Sequence, residues 1–248
     1  MKITDYEKKL LRKIGRTINR YEMISANDTV AVAISGGKDS YALLEALHLR
    51  RRYLPIKYNL TAVHIDFGFS GDNTLNIQEF CKERGIEIYI EKRNIEKNNK
   101  SETSCFWCSW NRRKALFEFI RRLKINKLAF AHHMDDVIET MFLNMMYQSR
   151  FESFLPNTIF FSGELNVIRP LFECSDAEMK EYALYKGFPK DLMKCPFGIK
   201  SRRAEIREMI KKLSEKHDDE SFKYSMLNSW VTHISDFTHH AIRTTRNE

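Results

Sequence analysis

The chain has 248 residues, 41 Lys and Arg against 33 Asp and Glu, and a formal net charge of +8. That length fits one substantial α/β domain with an appendage and excludes two large domains, and the charge suits a polyanionic partner such as RNA. The charged start "MKITDYEKKLLRK" and the lack of any run of 18 apolar residues exclude a signal peptide and a spanning helix. The expectation is a soluble cytoplasmic protein with no membrane partner, in whose reducing compartment Cys81, Cys105, Cys108, Cys174 and Cys195 are not disulfides.

Residues 6–22 place Leu10, Leu11, Ile14, Ile18 and Tyr21 on one helical stripe and Lys9, Arg12, Lys13, Arg16 and Arg20 on the other side. The basic back is either a solvated face or a contact for RNA phosphates. After "SANDT", apolar strand-like runs alternate with helical ones: "TVAVAI", "DSYALLEALHLRRR", "NLTAVHIDF", "NIQEFCKERG", "IEIYI", a polar loop "EKNNKSETS", "NRRKALFEFIRRL", "KLAFA" and "DDVIETMFLNMMYQ". Short apolar strands separated by helices predict crossover units, hence an α/β, doubly wound, mostly parallel sheet whose ligands lie outside the carboxyl ends of its strands. "LPNTIFF" and "NVIRPL" read as short edge strands or loop. Ser175 and Glu178 then form a capping box ahead of "MKEYALYKG", and two or three basic helices follow from near Ser201. The segments expected are a basic N-terminal helix over 1–27, an α/β domain over 28–190 and a helical segment over 191–248.

The stretch "AVAISGGKDS" ends a strand in two glycines and begins a helix at Lys38. Successive backbone N–H groups and the positive end of a helix dipole then face one point, and Gly36 and Gly37 allow an anion close to the backbone. Lys38 adds a charge, while Ser35 and Ser40 add donors. This is a pyrophosphate cradle, and it is not the Walker loop, which needs G-x-x-x-x-G-K-[ST]. Asp135 and Asp136, between a strand and a helix, are of the right chemistry to hold Mg²⁺ against a pyrophosphate, or simply cap the helix. Cys105-x-x-Cys108 is compatible with a redox pair, half a zinc site or part of an iron–sulfur site, zinc wanting a fourth ligand from His132, His133, Cys81 or Cys174. Cys81, in a helix with Ile77 and Phe80, reads as a buried structural thiol. Trp107 and Trp110 beside Arg112, Arg113 and Lys114 suit the stacking of a flipped base, or the shielding of a site from water. Lys200, Arg202, Arg203, Arg207, Lys211 and Lys212 make a second basic surface.

Ser35-Gly36-Gly37-Lys38-Asp39-Ser40 resembles the SGGxDS signature of the PP-loop, or N-type, ATP pyrophosphatases, which cleave ATP between its α and β phosphates. "AHHMDDVIET" is similar to that family's second signature. "CFWCSWNRR", "VIRPLFEC" and the late Cys195 resemble the tRNA 2-thiocytidine synthetases within it. The resemblance implies ATP-dependent conversion of a tRNA cytidine, at position 32, to 2-thiocytidine, with release of AMP and pyrophosphate. It implies ATP bound by Ser35, Gly36, Gly37, Lys38, Asp39, Ser40 and Asp135 with Mg²⁺, and a 4Fe–4S cluster on Cys105, Cys108 and Cys195 with one iron open for sulfide. Asp136 matches a carboxylate of sulfur transfer, Arg112 a catalytic Lys or Arg, and Lys38 stabilises departing charge. Partners implied are tRNA, ATP, a sulfur donor such as a cysteine desulfurase, and a second copy in a homodimer. One departure stands out: where the family commonly has a second C-x-x-C, "CPFG" supplies Cys195 alone. The alternatives are a PP-loop sulfurtransferase acting on another nucleobase or a small molecule, and a non-catalytic ATP-binding iron–sulfur sensor. Lysidine synthetase needs no cysteine triad.

Overall fold

A computed structural model describes residues 4–53, 55–66, 73–93, 105–192, 202–216 and 218–244, apart from the side chains of residues 105–109, 112 and 236–244. In chain order the elements are α1 (Asp5–Arg20), β1 (Thr29–Ala33), α2 (Lys38–Arg51), β2 (Asn59–Asp66), α3 (Thr74–Glu83), β3 (Glu87–Lys92), α4 (Cys105–Arg122), β4 (Lys127–Ala129), α5 (Met134–Gln148), β5 (Asn157–Phe160), β6 (Leu165–Ile168), α6 (Asp176–Lys186), α7 (Arg202–Ser214) and α8 (Asp219–Thr244). The described residues divide into two compact units, residues 1–133 with 155–200 and residues 134–154 with 201–248. The three segments read from the sequence cut the chain elsewhere. None of the described helices is long and apolar enough to cross a membrane.

In the first unit the strands form one six-stranded sheet in the order β3-β2-β1-β4-β6-β5. Every neighbouring pair is parallel except β5 with β6. The mostly parallel sheet expected from the alternating pattern is therefore the one observed. Both faces are covered, as the continuously apolar and buried centre of β1, Val30-Ala31-Val32, requires. On one face Val30, Val32, Ala62 and Ile168 join a cluster with Leu10, Ile14, Leu43, Leu47, Ile77 and Tyr182 of the helices α1, α2, α3 and α6. On the other, Ala31, Val63, Leu128 and Val167 pack with Leu116 and Ile120 of α4. Alternate residues of one strand thus serve opposite layers.

Three boundaries depart from the sequence reading. "NVIRPL" is not an edge: its strand β6 pairs with β4, because the chain first lays down β5 at the edge and returns through a hairpin. Four residues are too few for a periodic signal. The helix read from Asn111 begins at Cys105, so Cys105 and Cys108 lie one turn apart at its start. α8 carries Asp219, Glu220 and Asp236 against Lys223 and Arg243, so only α7 of the last two helices is basic. The N-terminal helix starts in a capping box: the Glu7 N–H donates to Thr4 Oγ1 and the Thr4 N–H donates to Glu7 Oε2.

The order of strands places a topological switch point between β1 and β4, since the chain runs outward from β1 through β2 to β3 and resumes on the other side of β1. Open sheets of this kind bind ligands in the crevice at the carboxyl ends of the two strands flanking that point.

In the second unit α5, α7 and α8 bury Val137, Ile138, Met141, Ile206, Ile210, Leu227 and Trp230. The Trp230 indole donates to the Phe154 carbonyl at 2.9 Å, and Arg207 grips the buried Glu139 through two hydrogen bonds of 2.7 and 3.1 Å.

Candidate active site

The loop after β1 is held open by its own hydroxyls. Ser40 Oγ donates to the Gly37 carbonyl at 2.8 Å and accepts from the Ser35 N–H at 3.3 Å, while the Gly37 N–H donates to Ser35 Oγ at 3.3 Å. Gly36 sits at φ +91°, in the region that L side chains rarely adopt. Gly37 is the N-cap of α2, with extended backbone and no side-chain cap. The Ser40 and Tyr41 N–H groups donate to the Gly37 carbonyl at 3.1 and 3.3 Å, which leaves the N–H groups of Lys38 and Asp39 as donors for an anion at the positive end of the dipole.

Lys38, at the first position of α2, does not project freely. Its ammonium is 2.6 Å from Asp39 Oδ1 and 2.7 Å from Asp176 Oδ1, and Asp176 also holds Lys180 at 2.6 Å. Burial disfavours the charged amine, but the hydrogen bonds it donates to Asp176 and Asp39 outweigh that and the Lys38 pKa rises. Burial likewise opposes the Asp176 carboxylate, yet hydrogen bonds from Lys180 and Lys38 carry its pKa well below the ordinary range. His133, from the loop after β4, brings its Nε2 to 3.8 Å from Asp176 and 4.0 Å from Asp39. Asp39, His133 and Asp176 offer ligand atoms within 4.8 Å of one another. Two carboxylate oxygens suit a hard divalent ion such as Mg²⁺, and the imidazole suits it less well.

Two further residues close on the loop. Asn73, 3% exposed, donates to the Ser35 carbonyl at 3.3 Å and to Asp191 Oδ1 at 2.7 Å. Its own Oδ1 accepts from the Leu192 N–H at 2.9 Å.

The structure therefore brings Ser35, Gly36, Gly37, Lys38, Asp39 and Ser40 together and adds His133, Asp176, Asn73 and Asp191. Asp135 and Asp136 lie in the first turn of α5, in the second unit. There Asp135 pairs with Lys223 at 2.9 Å, and Asp136 is 3.6 Å from Arg203. Arg112 is on α4, as are Cys105 and Cys108; their side chains and Cys195 lie outside the described residues. Trp110, 52% exposed on the same helix, has the Lys114 ammonium 5.3 Å from its ring centre.

A family model for the PP-loop domain matches residues 6–212. The chain belongs to the PP-loop family. Its relatives include a tRNA-cytidine(32) 2-sulfurtransferase from Colwellia psychrerythraea, 33% identical over 240 residues, 93% of this chain and 76% of the relative. Another of the same name, from Citrifermentans bemidjiense, is 32% identical over 228 residues, 89% of each chain. Among solved structures, the U34-tRNA thiolase NcsA from Methanococcus maripaludis, with its 4Fe–4S cluster, matches with a TM-score of 0.79 and 26% identity over 93% of this chain and 79% of that one.

Within this PP-loop fold the sequence reading missed Asp176, Asn73 and Asp191. Asp176 stood inside a capping box, which explained a polar residue there without any ligand. Asn73 follows "SGD" in what reads as an ordinary loop, and only the strand order brings it to Ser35.

Cys81 and Cys174 are wholly buried and free. Burial pushes the Cys81 thiol up to about 11 and the Cys174 thiol higher still, so neither readily becomes a thiolate ligand.

Proposed function

We propose that this chain is an ATP-dependent tRNA sulfurtransferase that converts cytidine 32 to 2-thiocytidine. The observation that carries the reading is an open phosphate loop at the switch point of a chain one-third identical, over nine-tenths of its length, to a tRNA-cytidine(32) 2-sulfurtransferase. In the reaction, the C2 oxygen of the cytidine attacks the α-phosphorus of ATP and the bond to the bridging oxygen of pyrophosphate breaks. Sulfide then adds to C2 and AMP leaves with the oxygen.

The N–H groups at the start of α2 hold the β and γ phosphates, and Lys38 shifts from Asp176 toward the charge that develops on departing pyrophosphate. Asp39 and Asp176 would hold Mg²⁺ beside it. Cys105, Cys108 and Cys195 hold the 4Fe–4S cluster, which supplies a coordination position for sulfide. Asp136 and Arg112 act on the base and its adenylate. Trp110 with Lys114 is a stacking surface for an unpaired base. A cysteine desulfurase or similar donor provides the sulfur, and the chain works as a homodimer.

A second reading has support from the likeness to NcsA, a U34-tRNA thiolase: the base is a uridine. Mass spectrometry of nucleosides from RNA of cells lacking the protein separates the two, through loss of 2-thiocytidine or of a 2-thiouridine. On the purified protein, anaerobic reconstitution gives a brown form with about four irons per chain. Substituting Cys105, Cys108 or Cys195 by Ala removes iron and thiolation while keeping ATP binding; Cys81→Ala and Cys174→Ala keep all three. Lys38→Ala abolishes AMP release. One zinc and no iron, or ADP as the product, overturns the reading.

A further inference from the structure

Asn73 occupies the N-cap of α3 but makes no capping hydrogen bond there, although Asn is among the preferred caps. Its amide is spent instead on two distant pieces of chain. The Nδ2 group donates to the Ser35 carbonyl, at the exit of β1, and to Asp191; Oδ1 accepts from the Leu192 N–H. The packing is close: a Cβ on Gly36 would stand 2.3 Å from Asn73 Nδ2. Asp191 is also near the loop, its Oδ2 lying 3.7 Å from where a Gly37 Cβ would be. A polyphosphate held in this loop would come up against that carboxylate, through repulsion or a shared cation, while Asn73 holds its other oxygen. Leu192 stands three residues before Cys195, a reach of about 11 Å at full extension.

We infer that Asn73 is a positioning residue that links occupancy of the phosphate loop to the chain leading to Cys195. One buried amide side chain fixes the loop backbone and the 191–192 segment together, so nucleotide binding tightens both. The link rests on the reading of residues 35–40 as an ATP site.

The test is amide hydrogen exchange at Leu192, followed in the full-length protein with and without MgATP, alongside KM and kcat for AMP formation. In the wild type MgATP slows exchange at Leu192 by about fivefold or more, the lower end of ordinary coupling between sites. Asn73→Ala makes that amide exchange fast with or without nucleotide, and raises KM for ATP more than it lowers kcat. Asn73→Asp sets two carboxylates against each other and is worse, whereas Asn73→Asp with Asp191→Asn restores a donor–acceptor pair and part of the response. The inference is overturned if wild type binds MgATP with no change at Leu192, or if Asn73→Ala keeps the wild-type response. It is overturned too if the paired exchange behaves no better than Asn73→Asp alone. A wild type that does not bind MgATP removes the ATP-site reading itself, and this link with it.

Discussion

The two glycines of the loop are adjacent, yet the fold demands a glycine only at the first of them, and exchanging each for Ala separates the two positions. At Gly36 an L residue would adopt φ +91°, which costs about 1–2 kcal/mol. Its Cβ would also lie 2.3–2.6 Å from three atoms of Asn73, which hydrogen bonds to Ser35, Asp191 and Leu192 hold in place. Displacing Asn73 leaves buried polar groups unpaired at about 1–3 kcal/mol. Gly36→Ala therefore destabilises by about 2–5 kcal/mol, which in a chain of this size lowers Tm by roughly 5–15 °C. Gly37 has φ −76° and ψ 153°, and its added Cβ would find nothing nearer than 3.5 Å. Gly37→Ala should keep the wild-type Tm or gain up to about 1 kcal/mol from a stiffer unfolded chain. Thermal unfolding followed by circular dichroism, paired with MgATP binding by calorimetry, reads both. A Gly36→Ala protein that melts with the wild type, or a Gly37→Ala protein that falls as far, refutes the geometric argument.

Two further outcomes follow from charges on helices. Lys186 is buried between Glu7 at 3.1 Å and Glu45 at 2.8 Å, and Glu45 also takes Arg84 at 2.5 Å. Lys186→Ala takes the ammonium from buried Glu7 and leaves Glu45 with Arg84 alone, and should cost about 3–5 kcal/mol in urea unfolding. Despite burial, hydrogen bonds from Lys186 and Arg84 depress the Glu45 pKa. That stability is present above the ordinary glutamate value and is lost as pH falls through the depressed one. The Lys186 pKa is raised, so its share is present below the ordinary lysine value and lost as pH climbs through the raised one; a pH series of Tm that is flat at both ends contradicts this. On α1, Lys13 and Arg20 are spent on Glu178 and Glu173, while Lys9, Arg12 and Arg16 are exposed. Reversing Arg12 and Arg16 should flatten the salt dependence of tRNA binding by about two units of log–log slope with Tm unchanged. Binding that ignores salt returns α1 to a solvated face.

Much of this architecture was legible because its signals are local. A strand of small and β-branched residues running into Ser-Gly-Gly and a helix start fixes β1, the turn and α2 within a dozen residues, and the chemistry of the turn follows from backbone geometry. The alternation of short apolar runs with helices gave the parallel sheet for the same reason. What stayed hidden is what requires the sheet to be assembled. Asp176 meets Lys38 across 138 positions of sequence, and Asn73 meets Asp191 across 118. Glu45 left a trace: a single carboxylate in the apolar stretch "YALLEALHL" is a charge that must find a partner if the helix is buried on all sides. α2 is so buried, with every residue from Ser40 to Leu49 inside. Its partners, Lys186 and Arg84, come from α6 and the end of α3, which no spacing rule connects to it.

The charges around the loop also explain why a carboxylate-rich neighbourhood and a phosphate site belong together. Lys38 and Lys180 oppose Asp39, Asp176 and Asp191, so the formal side-chain charge of these five residues is slightly negative, although an anion is what the loop geometry accommodates. Attraction for a polyphosphate must then come from the fixed N–H dipoles at the start of α2, whose orientation costs nothing at the moment of binding, and from a divalent ion brought with the nucleotide. Holding Lys38 between two carboxylates keeps it charged and aimed while no phosphate is there, because a lone ammonium at that half-buried position would be driven toward its neutral form. On the proposed reading, Asp39 and Asp176 would hold Mg²⁺, which would supply positive charge beside the phosphates, and Lys38 would then be free to face the charge of departing pyrophosphate. On that reading the carboxylates that oppose a polyphosphate by charge would also hold the lysine ready for the step that needs it.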